Sequence, residues 1–407
     1  MRAVKWKSVV ISFLLGMVLV HAIALWQMRD LILQGYGDFV TFYTAGTILQ
    51  RGQAARLYDL HLQWQVQQEF PSTFRIRRGP LPYFHPPFEA LIFLPLTYLS
   101  YPAACAAWLA FKLLILFLIP RLLAPFVPGG SLLPAPLLGL LSLAFFPVAA
   151  DLFQGQDSIL LLLAFTLAFV AMRRGNDFQA GLFLTLGLVR FHLVIPVALI
   201  LLLIRKTLIR NTRFFLGFLS GASALLLVSA AVVGWRGVLD YPKYLLDLNQ
   251  ADVGLITPEI MPNLRGLVAT AFGRAPWGMF VAVVILGILA TAWLCRGADK
   301  TPELASTGFS LALVTTLLTS YYGYSFDMTM LLIPMLLVGG SFLGTNELKG
   351  GPRRLFLACA ALLWFSPMYW FLILRTRQFY WVAFSLLLLL AVSLVGGIRR
   401  WRNALPA

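Results

Sequence analysis

Apolar runs of about 15 to 22 residues recur along the whole chain, separated by short polar or basic links. The first runs from about Ser8 to Trp26, behind Arg2, Lys5 and Lys7. That basic start holds the N-terminus in the cytoplasm and predicts a retained first helix, because no small-residue cleavage site follows it. The polar stretch 28–85 then lies outside. Within it, Asp38 to Gln50 and Leu57 to Phe70 carry apolar residues at helical spacing, with Gly52 as a stop between them. Both predict helices lying in the membrane interface, apolar face down. Tyr83-Phe84-His85-Pro86-Pro87-Phe88 follows, and its two prolines suit a first helical turn.

Further apolar segments are predicted at about 88–99, 102–123, 132–150 and 158–172, with Asp151 to Asp157 as an external link before the last of these. The stretch from Gln179 to Ile204 is interrupted by Arg190-Phe191-His192 and Pro196. Basic residues flank it on both sides, Arg173 and Arg174 before it and Arg205, Lys206, Arg210 and Arg213 after it. A single crossing would leave one of these clusters outside. The charge pattern therefore predicts a hairpin of two short helices, with Arg190 and His192 at its outer tip. A span at 214–233 leads to a second external loop, 234–263, and spans follow at about 276–295, 304–322, 328–343, 355–374 and 378–398. Arg296, Lys300, Lys349, Arg353 and Arg399 mark cytoplasmic links, while Arg375 and Arg377 fall outside, against the rule. Two basic termini require an even number of crossings, so one segment fails to cross; 88–99 is the candidate.

The 407 residues are 60% hydrophobic and 12% charged, about half the charged fraction of a soluble domain. The expectation is an all-α polytopic membrane protein, one integral domain over 1–407 with about twelve to thirteen hydrophobic helices. The net charge of +16 sits in short clusters between apolar runs, which excludes a nucleic-acid stripe and suits membrane lipids. Cys105, Cys295 and Cys359 are isolated and form no metal or disulfide spacing. No phosphate-cradling glycine loop and no HExxH motif is present, which excludes a nucleotide-driven pump and a zinc protease.

Acidic groups at a membrane edge are costly and mark function. Asp38, in Gly35-Tyr36-Gly37-Asp38-Phe39, follows the first helix directly. It can deprotonate an acceptor hydroxyl, or it can be a helix N-cap. One carboxylate suffices for inverting transfer when a phosphate leaves, so the second carboxylate of a glycosidase is not needed. Arg190, Arg265 or His192 can hold that phosphate, although Arg190 can also snorkel to the head groups. No cofactor is required; a divalent cation on Asp38 with Asp151 or Asp157 stays open.

The order of these motifs resembles a known family. Asp38 with Tyr43, then Leu57-Tyr58-Asp59, Tyr83-Phe84-His85-Pro86-Pro87 and Gly155-Gln156 come first. The small-residue helix ending at Arg190, Asn263-Leu264-Arg265-Gly266 and Tyr324-Ser325-Phe326-Asp327 complete it. This looks like bacterial glycosyltransferase family 87, once described as a domain of unknown function, within the GT-C superfamily. The resemblance implies transfer of a sugar, often mannose, from a polyprenyl-phosphate carrier to a glycan or lipid acceptor on the outer face of the cytoplasmic membrane. It implies Asp38 as base and Arg190 at the carrier phosphate, where His192 and Arg265 are the further candidates by their chemistry, and Tyr43, His85, Gln156, Asn263, Tyr324 and Asp327 are expected around the substrates. Two positions depart from the family pattern: Asp157 stands where Asn is usual, and Arg190 where relatives carry Lys. A flippase and a non-catalytic lipid-binding scaffold remain the rival classes.

Overall fold

A computed structural model describes residues 2–70, 79–127, 135–204, 208–250, 258–273, 277–296, 301–344, 351–372, 375 and 379–403. Arg205, Lys206, Lys300, Lys349 and Arg377 lie outside the described residues. Among those described there are helices and turns and no strand. Four helices are long and apolar enough to cross a membrane, or five if one bent pair counts as a span. The protein is an all-α, multi-pass membrane protein.

Helix α1 (Arg2–Leu33) is longer at its C-terminal end than the apolar run suggested. Its apolar residues face outward, as a lipid-facing span requires. Two short helices follow, α2 (Phe39–Gln50) and α3 (Leu60–Gln68). The expectation that α2 lies with one apolar face down is corrected here, whereas α3 keeps one buried and one exposed side. Residues Phe39 to Ile48 of α2 are all buried, and their aromatic rings pack against Phe93, Tyr101 and Trp108, with Phe42 stacked on Phe93 at 4.6 Å. Such a pair adds about 0.5–1.5 kcal/mol beyond area burial. The run Pro87–Tyr98 is a chain of short helical turns, one of several apolar helices shorter than a span needs.

Helix α4 (Tyr101–Leu123) is, with the turn that follows it, long and apolar enough to cross a membrane. Helices α5 (Ala135–Leu143) and α6 (Phe146–Gln154) meet at 68°, where Phe145 is extended and Pro147 opens the next helix. Asp151 therefore lies inside α6, not in a link. A tight turn leads into α7 (Ser158–Arg173).

Next come α8 (Asp177–Thr185), a 3-10 turn over Leu186–Arg190, and α9 (Phe191–Ile204). By length this stretch could be one span. As a straight rod its 28 residues would cover about 42 Å. Yet Arg210, near the start of α10 (Leu208–Gln250), bonds Asp177 at 2.9 Å. The four steps from Ile204 to Leu208 reach only about 14 Å. The stretch must therefore fold back, as the flanking charges predicted. Helices α8 and α10 run side by side from this shared end. A Cβ on Gly181 would lie 2.0 Å from the Phe214 carbonyl oxygen, and one on Gly217 would lie 2.0 Å from that of Phe178. Glycine at both positions permits the close crossing.

Helix α10 breaks at Gly234, whose φ of 77° suits glycine. The predicted loop from 234 is instead helical to Gln250. The remainder is α11 (Leu264–Phe272), α12 (Trp277–Leu294), α13 (Pro302–Thr319), a 3-10 turn at Asp327–Leu331, α14 (Leu332–Gly344), α15 (Gly351–Trp364), α16 (Ser366–Phe371) and α17 (Phe379–Asn403). One buried apolar cluster joins α7, α9, α13 and α14 with their neighbours; a second joins α2, α3 and the start of α4. The candidate site lies where the α2 end meets the α6–α7 turn and the hairpin tip.

Candidate active site

Two tight turns bring Asp38 to its partner. Gly155 closes α6 in the left-handed conformation (φ 69°), its N–H bonded to the Asp151 carbonyl. A Cβ on Gly155 would lie 2.6 Å from that of Phe39, and one on Gly37 would lie 3.0 Å from the Gln154 carbonyl oxygen. The Gly35–Asp38 turn thus sits directly on the Gln154–Gln156 turn. Asp38 occupies the N-cap position of α2 but makes no capping bond. Its Oδ2 instead accepts from Gln156 Nε2 at 2.6 Å.

Gln156 passes this link to the hairpin tip, because its Oε1 accepts from Arg190 Nη2. Arg190 is 4% exposed. Its Nε and Nη2 bond Asp157 Oδ1 at 3.0 and 2.5 Å, and its Nη1 lies 3.4 Å from Asp327 Oδ1. Asp327 is fixed in turn by the Ser158 hydroxyl (3.1 Å) and the Tyr324 backbone N–H (2.9 Å). Residues separated by up to 171 positions are thereby joined around one buried guanidinium. Burial alone would raise the Asp157 pKa. The Arg190 charge overrides it and holds the carboxyl at about 2.

Beyond Asp157 lie His85 and Glu89. His85 Nδ1 is 2.8 Å from Glu89 Oε2 and 3.8 Å from Asp157 Oδ2. Burial drives the His85 pKa down to about 3, against the pull of the Asp157 carboxylate and with a smaller push from Arg190, so the ring is neutral. The loop carrying His85 is tied down along its length. Tyr58, Tyr241 and Tyr244 donate their phenol protons to the carbonyls of His85, Phe84 and Tyr83. The side chains of Gln63 and Gln67 bond the backbone of Tyr83 and Leu81. Tyr58 and the α3 N-cap Asp59, read as motif residues, thus hold this loop and open α3.

A second ionic centre lies nearby. Lys112, fully buried in α4, donates to Asp151 Oδ1 (2.8 Å) and to the carbonyls of Asp151 and Gln156. The other Asp151 oxygen accepts from the Ile159 N–H. Both carboxylate oxygens of Asp151, weighed with Asp38 as a cation ligand, are thus already bonded, one of them to Lys112.

Of the residues singled out in the sequence, Asp38, Gln156, Arg190, Asp327 and His85 come together. His192 sits two residues past Arg190 with its ring 5.8 Å from Tyr322. Arg265 stacks on Tyr321 at 3.7 Å and donates to its carbonyl, one ring further out. Tyr43 is elsewhere, in the aromatic core of α2, its hydroxyl bonded to the Leu99 carbonyl. Asn263 caps α11 and bonds Ser320. Tyr324 contributes a backbone N–H to Asp327. Sequence reasoning overlooked Glu89 and Lys112. Each is a charged residue within an apolar run, and that oddity was the available signal.

The sequence model of glycosyltransferase family 87 matches residues 83–320, more than half of the chain. The match includes His85, Gln156, Asp157, Arg190, His192 and Arg265; Asp38 precedes it and Asp327 follows it. No curated protein and no solved structure matches the chain. With a multi-pass helical fold, a carboxylate linked to a buried guanidinium and this match, the chain belongs to glycosyltransferase family 87 and is a membrane glycosyltransferase.

Proposed function

We propose that this glycosyltransferase is of the GT-C type and moves a sugar, mannose in the first instance, from a polyprenyl-phosphate carrier to a hydroxyl of a glycan, lipid or glycolipid. The observation that carries the reading is the Asp38–Gln156–Arg190 chain, which fixes one carboxylate beside a cationic centre. Asp38 accepts the proton of the acceptor hydroxyl. The acceptor oxygen then attacks the anomeric carbon from the face opposite the leaving group. The bond from that carbon to the phosphate oxygen breaks, and polyprenyl phosphate leaves with the electron pair. The configuration inverts, and no second acid is required.

Arg190, His192 and Arg265 form the donor side. Because Arg190 spends Nε and Nη2 on Asp157 and Gln156, its contribution is positive charge and the posture of Gln156. His192 and Arg265 are assigned the more direct phosphate contacts. The outer face of a bacterial cytoplasmic membrane is the proposed location. Arg173 lies about 22 Å from Ser158 along α7, so the basic ends of α7 and α10 are remote from the site.

The test uses purified protein in lipid nanodiscs with radiolabelled polyprenyl-phosphate mannose and a bacterial acceptor extract. The expected result is a labelled product together with free polyprenyl phosphate. Binding of the donor without product would contradict transfer and favour a flippase or scaffold. Neither binding nor product would remove polyprenyl-phosphate mannose as the donor.

A further inference from the structure

We propose that His85, Glu89 and Asp157 hold one divalent cation of the Mn2+ or Zn2+ class beneath the Asp38 site. Each residue offers a ligand atom, and these atoms all lie within 4.8 Å of one another. Two ligands bound at about 2.1 Å to one ion stand roughly 3–4.2 Å apart. A small contraction therefore closes the site.

The independent observation is a set of buried polar atoms with no hydrogen-bond partner. They are His85 Nδ1, both Glu89 carboxylate oxygens and Asp157 Oδ2. His85 and Glu89 approach to 2.8 Å but are not aligned to bond. All three side chains are at most 4% exposed, so bulk water does not serve them. Buried polar atoms are nearly always paired, and orphans at one point indicate a missing ligand.

Charge points the same way. Asp157 and Asp327 face one guanidinium, that of Arg190, and Glu89 stands beside Asp157. Asp157 and Asp327 against one cation leave negative charge, to which an ionised Glu89 adds and which a divalent ion offsets. Asp157 divides its oxygens to suit, Oδ1 to Arg190 and Oδ2 toward His85. An imidazole with two carboxylates selects a borderline ion over Mg2+ or Ca2+, which prefer oxygen alone. Three protein ligands leave a coordination position open to a substrate oxygen. The ligand loop is preorganised as well, since three tyrosine hydroxyls fix the carbonyls of Tyr83, Phe84 and His85. A proton shared between Glu89 and Asp157 is the competing occupant.

The test reads metal, so it stands apart from the donor assignment. Chelator-stripped protein in nanodiscs is titrated with MnCl2, bound ion is followed by electron paramagnetic resonance, and content is counted by mass spectrometry. The expected result is one Mn2+ per chain, displaced by Zn2+. Glu89→Gln and His85→Ala should each weaken binding by more than the roughly 10–100-fold that outer-sphere changes cost, with a cooperative melt retained. The absence of saturable binding by wild-type protein up to about 1 mM, the weak end of biological sites, would overturn the proposal. So would binding unchanged in a folded Glu89→Gln protein. Should the variants fail to fold, the wild-type titration decides alone.

Discussion

The two buried ionic centres are joined by the Gln154–Asp157 turn, yet they are built differently. Lys112 and Asp151 balance one to one. The ammonium has three acceptors, and both carboxylate oxygens are bonded. That centre clamps the turn bearing Gln156 and has nothing left to offer a ligand. Around Arg190 the charges do not balance, and four buried polar atoms lack partners. A closed ion pair in a membrane protein is architecture. An unbalanced one is the candidate place for handling substrates and ions. The difference separates positioning from chemistry within one stretch of chain.

The comparison is broken most severely at its charges. Lys112→Met should cost about 3–5 kcal/mol by stranding Asp151. The double variant Lys112→Met with Asp151→Leu should recover most of that loss in a thermal melt, because a satisfied pair can be replaced by apolar packing. Arg190→Met should cost a similar amount and should not be rescued by Asp157→Leu, which leaves Asp327 and Gln156 without their partner. Rescue at both centres would erase the distinction.

A gentler change acts on position more than on stability. Gln156→Leu removes the bonds to Asp38 and Arg190 and should lower kcat about 10²-fold, the scale of a small misplacement, with KM little changed and a loss of about 1–3 kcal/mol in the melt. The hairpin is tested at its crossing. Gly181→Val drives a side chain into the Phe214 carbonyl and should cost about 1–3 kcal/mol.

The smallest effect belongs to the exposed pair Arg51–Glu69. Its hydrogen bonds hold the Glu69 carboxyl below its usual pKa. The pair therefore adds stability above the unfolded carboxyl pKa and loses it as the pH falls through the folded one. Solvent limits this to less than about 1 kcal/mol. Glu69→Gln should flatten that slope in acid titration of the melt.

The membrane helices were legible in the sequence because an apolar run long enough to span has few other fates. The hairpin was legible from arginines on both flanks, and the Asp177–Arg210 contact accounts for it. Other features were hidden for physical reasons. Helix α2 was read as interfacial from apolar residues at helical spacing on one face, whereas its threonines are buried too: Thr44 and Thr47 turn their hydroxyls onto the carbonyls of Val40 and Tyr43. The helix beyond Gly234 was missed because a charged, proline-containing stretch reads as loop. The Asp38–Gln156 bond joins residues 118 positions apart. The glycines at 37 and 155 that permit it carry no side chain to announce the contact.

The most direct measurement compares sugar transfer by wild type and Asp38→Asn, both in nanodiscs, with donor binding and melting temperature recorded alongside. The account predicts a fall in kcat of about 10²–10⁴-fold, the range of general-base catalysis, with donor affinity and fold unchanged. Full activity in a folded Asp38→Asn protein would contradict it.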